Sequence, residues 1–74
     1  MPPTDPQELV ARVGTKIASL RKAKSLTQAQ FAEQLNCSVQ YASLVERGTQ
    51  NLTLYKLAEI ANVLGVDVDD LIRE

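Results

Sequence analysis

Gln40 and Ser43 stand one helical turn apart in the segment Ser38-Val39-Gln40-Tyr41-Ala42-Ser43-Leu44-Val45-Glu46-Arg47-Gly48. At that spacing a carboxamide and a hydroxyl share one face of a helix. Such a face can read base edges: an amide pairs bidentately with adenine, a hydroxyl donates or accepts, and an aliphatic group meets the thymine methyl. Val39 and Leu44 flank the polar pair and can supply the aliphatic part, or else bury themselves against another protein surface, since exposed apolar residues often mark interfaces. Thr27 and Gln28 sit where a helix begins, and the open amides and partial positive charge of a helix N-terminus suit a phosphate. Thr27 also serves there as a cap. Tyr41 offers its hydroxyl to a phosphate and its ring to the packing of the neighbouring helix. Arg47, Gln50, Asn51 and Thr53 follow, and polar loop groups of this kind hold a nucleic-acid backbone. Gln50 reads equally well as ordinary loop polarity, and Thr53 as a cap alone.

The elements that must position these groups are marked by their own ends. Asp5 has the place of an N-cap, with Pro6 at the first helical position and Glu8 three residues after the cap. Leu9, Val13, Ile17 and Leu20 then follow at spacings of four and three, so a first helix is expected over Pro6 to Ala23. Gly14 lies inside it at a cost of about 1 kcal/mol relative to alanine. Leu26, Thr27, Gln30 and Phe31 combine an apolar staple with a capping box and open a second helix. Ser38 opens a third, Thr53 a fourth and Asp67 a fifth. Asn36, Gly48 and Gly65 tolerate left-handed backbone and are expected to close the second, third and fourth. On the fourth helix, Leu54, Leu57, Ala58, Ala61 and Leu64 form the expected core face. The fifth is short and carries Val68, Leu71 and Ile72. No strand pattern or internal repeat interrupts the series. The expected class is all-α, a compact five-helix bundle in which two short helices meet at a tight corner. Such a corner makes a helix-turn-helix. The expected organisation is a flexible N-terminal tail over residues 1–5 and one domain over residues 6–74.

Composition narrows the function classes. The chain has 74 residues, room for one core, and a domain of this size buries only about 60% of its unfolded surface. There is no histidine, so the usual imidazole base and metal ligand are both missing. Cys37 has no second cysteine with which to form an intrachain disulfide or a multi-cysteine zinc site. No enzyme activity, metal, cofactor or small-molecule ligand is therefore expected. A lone cysteine suits a reducing compartment, and no apolar run approaches the roughly 20 residues that span a bilayer. A cytoplasmic protein without membrane contact is expected. The net charge is −1, yet it is unevenly distributed. Residues 1–56 hold seven Lys/Arg against four acids, and residues 57–74 hold Arg73 against five acids. Arg12, Lys16, Arg21, Lys22 and Lys24 form a run with no acid between them. One end of the molecule is thus expected to face phosphates, although such runs also serve simply as solvated helix faces.

Leu20-Arg21, Leu26-Thr27-Gln28, Phe31-Ala32, Leu35, Ser38, Tyr41, Ser43, Glu46-Arg47-Gly48 and the Leu57-Ala58-x-x-Ala61-x-x-Leu64 pattern together resemble the Xre/Cro family of helix-turn-helix DNA-binding proteins, which includes lambdoid phage repressors. The resemblance covers roughly Val13 to Ile72. Glu46-Arg47-Gly48-x-x-Asn51-Leu52-Thr53-Leu54 looks most like the small controller proteins of restriction–modification systems. What the resemblance implies is a sequence-specific transcriptional regulator acting as a homodimer on double-stranded operator DNA. It further implies that Val39, Gln40, Ser43 and Leu44 are the base-reading set and that Arg21 and Glu46 form an internal ion pair joining the first helix to the end of the third. Two departures stand out. Val39 and Leu44 occupy positions that are often polar in the family, and Gln50 stands where controllers often have arginine. Ile60 and Val63 fall outside the expected stripe of the fourth helix and, with Val68 and Ile72, would suit a two-fold interface. In the other arrangement the fifth helix folds back over them. A protein-interaction module of the same fold, an antitoxin or anti-repressor, is the alternative function.

Overall fold

The computed structural model describes residues 4–73, and every regular element among them is helical. The order is α1 (Pro6–Ala23), α2 (Gln28–Gln34), α3 (Val39–Glu46), α4 (Leu54–Leu64) and α5 (Val68–Ile72). Met1 to Pro3, most of the expected tail, and Glu74 lie outside the described residues. Asp5, at the end of that tail, is the α1 cap as its position suggests: its carboxylate accepts from the Gln7 and Glu8 amides at 2.9 and 3.4 Å.

The helices begin where side chains satisfy otherwise unpartnered amides. Thr27 Oγ1 accepts from the Gln30 amide at 3.0 Å, and Gln30 Oε1 accepts in return from the Thr27 amide at 2.8 Å. The hydroxyls of Ser38 and Thr53 accept from the Tyr41 and Lys56 amides, each at 3.0 Å. At α5, Asp70 reaches back to the Asp67 amide at 3.1 Å. The four longer helices also end alike, each in a pair of back-bonds around one left-handed residue. After α2, for example, the Cys37 amide donates to the Ala32 carbonyl and the Asn36 amide to the Glu33 carbonyl. The left-handed residues are Ser25, Asn36, Gly48 and Gly65. Ser25 gave no stop signal in the sequence, because serine rarely takes that conformation.

Packing closes the helices around Ile17, Phe31, Ala42, Val45, Ile60 and Leu71, all fully buried. α2 and α3 pack on one another, α1 runs against α3, α4 and α5, and α5 also covers α4. The expected face of α4 is corrected here. Leu57, Ile60, Ala61 and Leu64 point inward, whereas Leu54 is 77% exposed and Ala58 is exposed. The inward set keeps the helical spacing of three, four and seven, but it is centred on Ile60 because α5 folds back over that side. For the same reason Ile60, at 0% exposure, cannot form part of a subunit interface. Val63 and Val68 are half-buried against the chain's own core, and of the four residues expected at an interface only Ile72 is exposed.

Gly14 also changes meaning. It is buried on α1, and a Cβ built there would lie 2.5 Å from the Val45 carbonyl oxygen and 2.8 Å from that of Glu46. The absent side chain lets α1 lie directly on the end of α3. Gly48 meets both constraints at once, with φ +75° and a Cβ position 2.5 Å from Ala11 Cα. Gly14→Ala is therefore expected to destabilise by about 1–2 kcal/mol despite alanine's better helix propensity, because overpacking against rigid backbone outweighs it. Thermal unfolding followed by circular dichroism checks this, and a midpoint at or above that of the wild type would contradict it.

Candidate nucleic-acid interface

The position of α3 is set by a polar network at its carboxy-terminal end. Arg21 Nε donates to Glu46 Oε2 at 2.7 Å, and Arg21 Nη2 donates to Glu46 Oε1 at 3.2 Å. Arg21 Nη1 donates to the Leu26 carbonyl at 2.7 Å, and Gln28 Nε2 donates to Glu46 Oε1 at 3.2 Å. Both charged side chains are about nine-tenths buried, at 11% and 8% exposure. No buried side-chain nitrogen or oxygen among the described residues lacks a partner. Two charges removed from water this far are tolerated only when their remaining donors and acceptors are also matched. Here they are, and the result ties the end of α1, the loop before α2, the first residue of α2 and the last residue of α3 to one point. Two of its members escaped the sequence reading. The Leu26 carbonyl is backbone and leaves no trace in residue type. Gln28 was considered only as a phosphate donor, but one of its two amide hydrogens is committed to Glu46.

With that end fixed, Ala42 and Val45 turn inward and the opposite face of α3 stays open. Val39 is 46% exposed, Gln40 is exposed, and Ser43 and Leu44 are half-exposed. Gln28, Val39, Gln40, Ser43, Leu44 and Arg47 line one shallow concavity. Its lining combines the aliphatic Val39 and Leu44 with the polar Gln28, Gln40, Ser43 and Arg47. The four residues expected to read bases thus share this concavity. Arg47, expected at the phosphates, is drawn onto the same face: its Nε and Nη2 donate to Ser43 Oγ at 3.2 and 2.9 Å.

The remaining expected backbone contacts lie outside this concavity. Thr27 caps α2 and leaves the first amides of that helix open. Thr53 does the same for α4. Gln50 and Asn51 lie in the connecting loop and line a hollow with Pro6, Gln7 and Gly48 beside the start of α1. Tyr41 is half-buried and packs on the core, with Lys56 Nζ 5.8 Å from its ring centroid. Lys56 is raised in pKa by its contact with Glu59, 2.9 Å away. Burial pushes the Cys37 thiol up, and the nearby Lys56 charge opposes that shift.

The expected charge separation is corrected by the fold. Arg12 donates to the Ile72 carbonyl and Lys24 to the Val63 carbonyl at 3.4 Å, so both turn towards α4 and α5 rather than towards the α3 face. They sit at helix C-termini, where the backbone supplies negative charge. Arg12, Lys16 and Arg73 line a surface hollow together, so the basic run and the acidic C-terminal segment are neighbours.

A tightly cornered pair of capped helices, the second fixed at one end and open along a polar face, defines a helix-turn-helix DNA-binding domain. The helix-turn-helix family profile matches residues 17–71 of the chain. The chain is 39% identical over 62 residues to the immunity repressor protein of Bacillus phage phi105, a match covering 84% of this chain and 43% of that repressor. It therefore spans less than half of that relative's length. It is 34% identical over 68 residues to the control protein C.MunI of a Mycoplasma species, covering 90% of this chain and 92% of that protein. Among solved structures it superposes on the restriction-modification controller protein C.AhdI from Aeromonas hydrophila with a TM-score of 0.79 at 29% identity, covering 84% of this chain and 94% of that one. The chain belongs to the helix-turn-helix family of DNA-binding transcriptional regulators.

Glu46→Gln keeps the shape of the network but leaves the buried Arg21 guanidinium without a countercharge. We expect a loss of about 3 kcal/mol in unfolding free energy from urea titration. A change below about 0.5 kcal/mol, the range of ordinary surface substitutions, would mean that the network does not hold α3.

Proposed function

We propose that the chain is a sequence-specific regulator that binds operator DNA as a homodimer, in the manner of a restriction–modification controller, and that it acts in the cytoplasm. The observation that carries this reading is the open concavity on α3, which Gln40, Ser43 and Arg47 line with the aliphatic Val39 and Leu44 instead of packing within the subunit. In the complex, Gln40 pairs with adenine, Ser43 bonds a neighbouring base edge, and Val39 and Leu44 contact thymine methyls. The N-termini of α2 and α4, capped by Thr27 and Thr53, hold phosphates on either side, with Gln28, Tyr41, Gln50 and Asn51 adding side-chain contacts. The similarity to control proteins along nearly their whole length supports the controller role.

Residues 6–74 form the single DNA-binding unit in this reading, and its dimer surface differs from that expected from sequence. Leu9, Val10, Leu52, Leu54, Leu57 and Ile72 line an apolar groove, and Tyr55 follows Leu54 in the chain. Leu54 and Tyr55 are 77% and 76% exposed. A protruding apolar knob next to an apolar groove is self-complementary, as a two-fold interface requires. Two copies joined there would each present one α3, and half-sites about 34 Å apart would meet both. Leu54→Asp is expected to weaken dimerisation by about 3 kcal/mol or more, since symmetry removes the buried side chain twice. Sedimentation equilibrium measures this, and an unchanged association constant would place the interface elsewhere.

Val39 is also the observation that favours the second reading, because at 46% exposure it could equally anchor a protein partner. Binding to DNA from the chain's own upstream region separates the two. A specific complex that weakens steeply with salt supports the regulator, whereas no preference over random DNA removes it. Gln40→Ala is expected to cost about 1–3 kcal/mol on the preferred site and much less on others. An equal loss on every sequence would make Gln40 a backbone contact.

A further inference from the structure

Arg47 is the last residue bound into α3, and from there an extended side chain would reach outward to the phosphates. It does not extend. The side chain folds back one turn and lays its guanidinium against Ser43, with Nε and Nη2 donating to Ser43 Oγ at 3.2 and 2.9 Å. Its charged head therefore lies over the middle of the reading helix, in the concavity that Gln40, Val39 and Leu44 also line. None of the carboxylates among the described residues pairs with it.

The donor inventory shows what this pose leaves available. A guanidinium has five N–H donors in a rigid planar fork. Two are directed at Ser43, one from Nε and one from Nη2. The remaining three are both hydrogens of Nη1 and one of Nη2, which form the outer edge of the fork. Two parallel donors of that kind match the O6 and N7 acceptors of guanine in the major groove, and no other base presents that pair. Ser43 in turn accepts from the guanidinium and keeps its own hydroxyl hydrogen for a base acceptor. Backbone anchoring is available without Arg47, through the open amides at the starts of α2 and α4.

We propose that Arg47 is a specificity-determining residue that reads one guanine in each half-site, and that Ser43 is the positioning residue that aims it. This rests on the DNA-binding reading above and assigns to Arg47 a role different from the phosphate contact expected of it. The reading surface is then a polar triad rather than the Gln40–Ser43 pair, and it recognises a guanine next to an adenine.

The test is selection of binding sites from a randomised duplex pool by the full chain, followed by titration of wild type, Arg47→Ala, Arg47→Lys and Ser43→Ala on the selected site and on versions altered at each position. The wild type is expected to require guanine at one position per half-site. Arg47→Ala should lose about 10- to 100-fold on the selected site and become indifferent to the base at that position alone, while Gln40→Ala becomes indifferent at a different one. Arg47→Lys should not restore the preference, because an ammonium lacks the planar fork. Ser43→Ala should reduce discrimination at the Arg47 position while Arg47 itself is intact. A loss with Arg47→Ala that is uniform over all sequences, restored by lysine and accompanied by a shallower salt dependence, would make it a phosphate contact and overturn the proposal. So would a selected site without guanine, or a Ser43→Ala variant with unchanged discrimination at the Arg47 position. A wild type that selects no sequence at all would instead remove the regulator reading on which the proposal rests.

Discussion

The buried pair of Arg21 and Glu46 determines where the reading helix points. An isolated eight-residue helix is not stable in water, so α3 takes its direction from its attachments. Its apolar contacts, through Ala42, Val45 and the half-buried Tyr41, are non-directional and do not by themselves fix rotation about the helix axis. A bidentate contact removes that freedom, because a planar guanidinium meets a planar carboxylate in a narrow range of geometries. Gly14 acts at the same place: the backbone of α1 presses against the carbonyls of Val45 and Glu46 within a space that no side chain can share. The charge pair and the missing side chain therefore constrain one point from two directions. Replacing the pair with well-packed apolar residues could match its stability. It would not hold Gln28, the Leu26 carbonyl and α3 in the same mutual orientation.

The corners depend on a repeated local device. Each of the first four helices ends in the same pair of back-bonds around one left-handed residue, and α2, α3 and α5 each begin at a hydroxyl or carboxylate cap two residues after it. A short domain has little core with which to enforce its turns, so local bonding must define them. Between the end of α2 and the Ser38 cap only Leu35, Asn36 and Cys37 intervene. Asparagine accepts the left-handed conformation more readily than other residues with a Cβ, and this is what makes so tight a corner possible without glycine.

Helix starts were legible in the sequence because caps are local chemistry, and so were the stops at Asn36, Gly48 and Gly65, whereas the left-handed Ser25 that closes α1 carried no such signal. The packing phase of α4 was less legible. Leu54, Leu57, Ala58, Ala61 and Leu64 satisfy helical spacing as well as the true inward set does. The deciding factor is α5, which folds back and buries Ile60, and residue spacing within α4 carries no information about that. Gly14 appeared as a helix defect because its reason lies across the interface, in the carbonyls of α3. Arg12 and Lys24 were counted with the basic face because sequence shows their charge but not the helix ends to which they turn. At the site, the outward set on α3 followed from periodicity alone. The return of Arg47 to Ser43 did not, since a side chain at a helix end has several directions open to it.

A regulator with a net charge of −1 must engage DNA with few cations. Arg21, Lys56 and Arg73 are paired with carboxylates, and Arg12 and Lys24 are turned to helix C-termini. Non-specific affinity for DNA grows with the number of phosphates that Lys and Arg neutralise, so this distribution keeps it low. In the proposed reading, helix N-termini then supply much of the backbone grip, and dipoles release fewer counterions than full charges do. The concavity on α3 is, in that reading, left to provide most of the difference between a right and a wrong sequence. In a cell the relevant quantity is that difference set against a vast excess of wrong sites. A protein that binds random duplex weakly loses little of its population to them. If α3 reads DNA as proposed, occupancy of an operator is governed by how well its few outward residues fit their base edges, and the buried network that aims α3 acts on specificity more directly than on affinity.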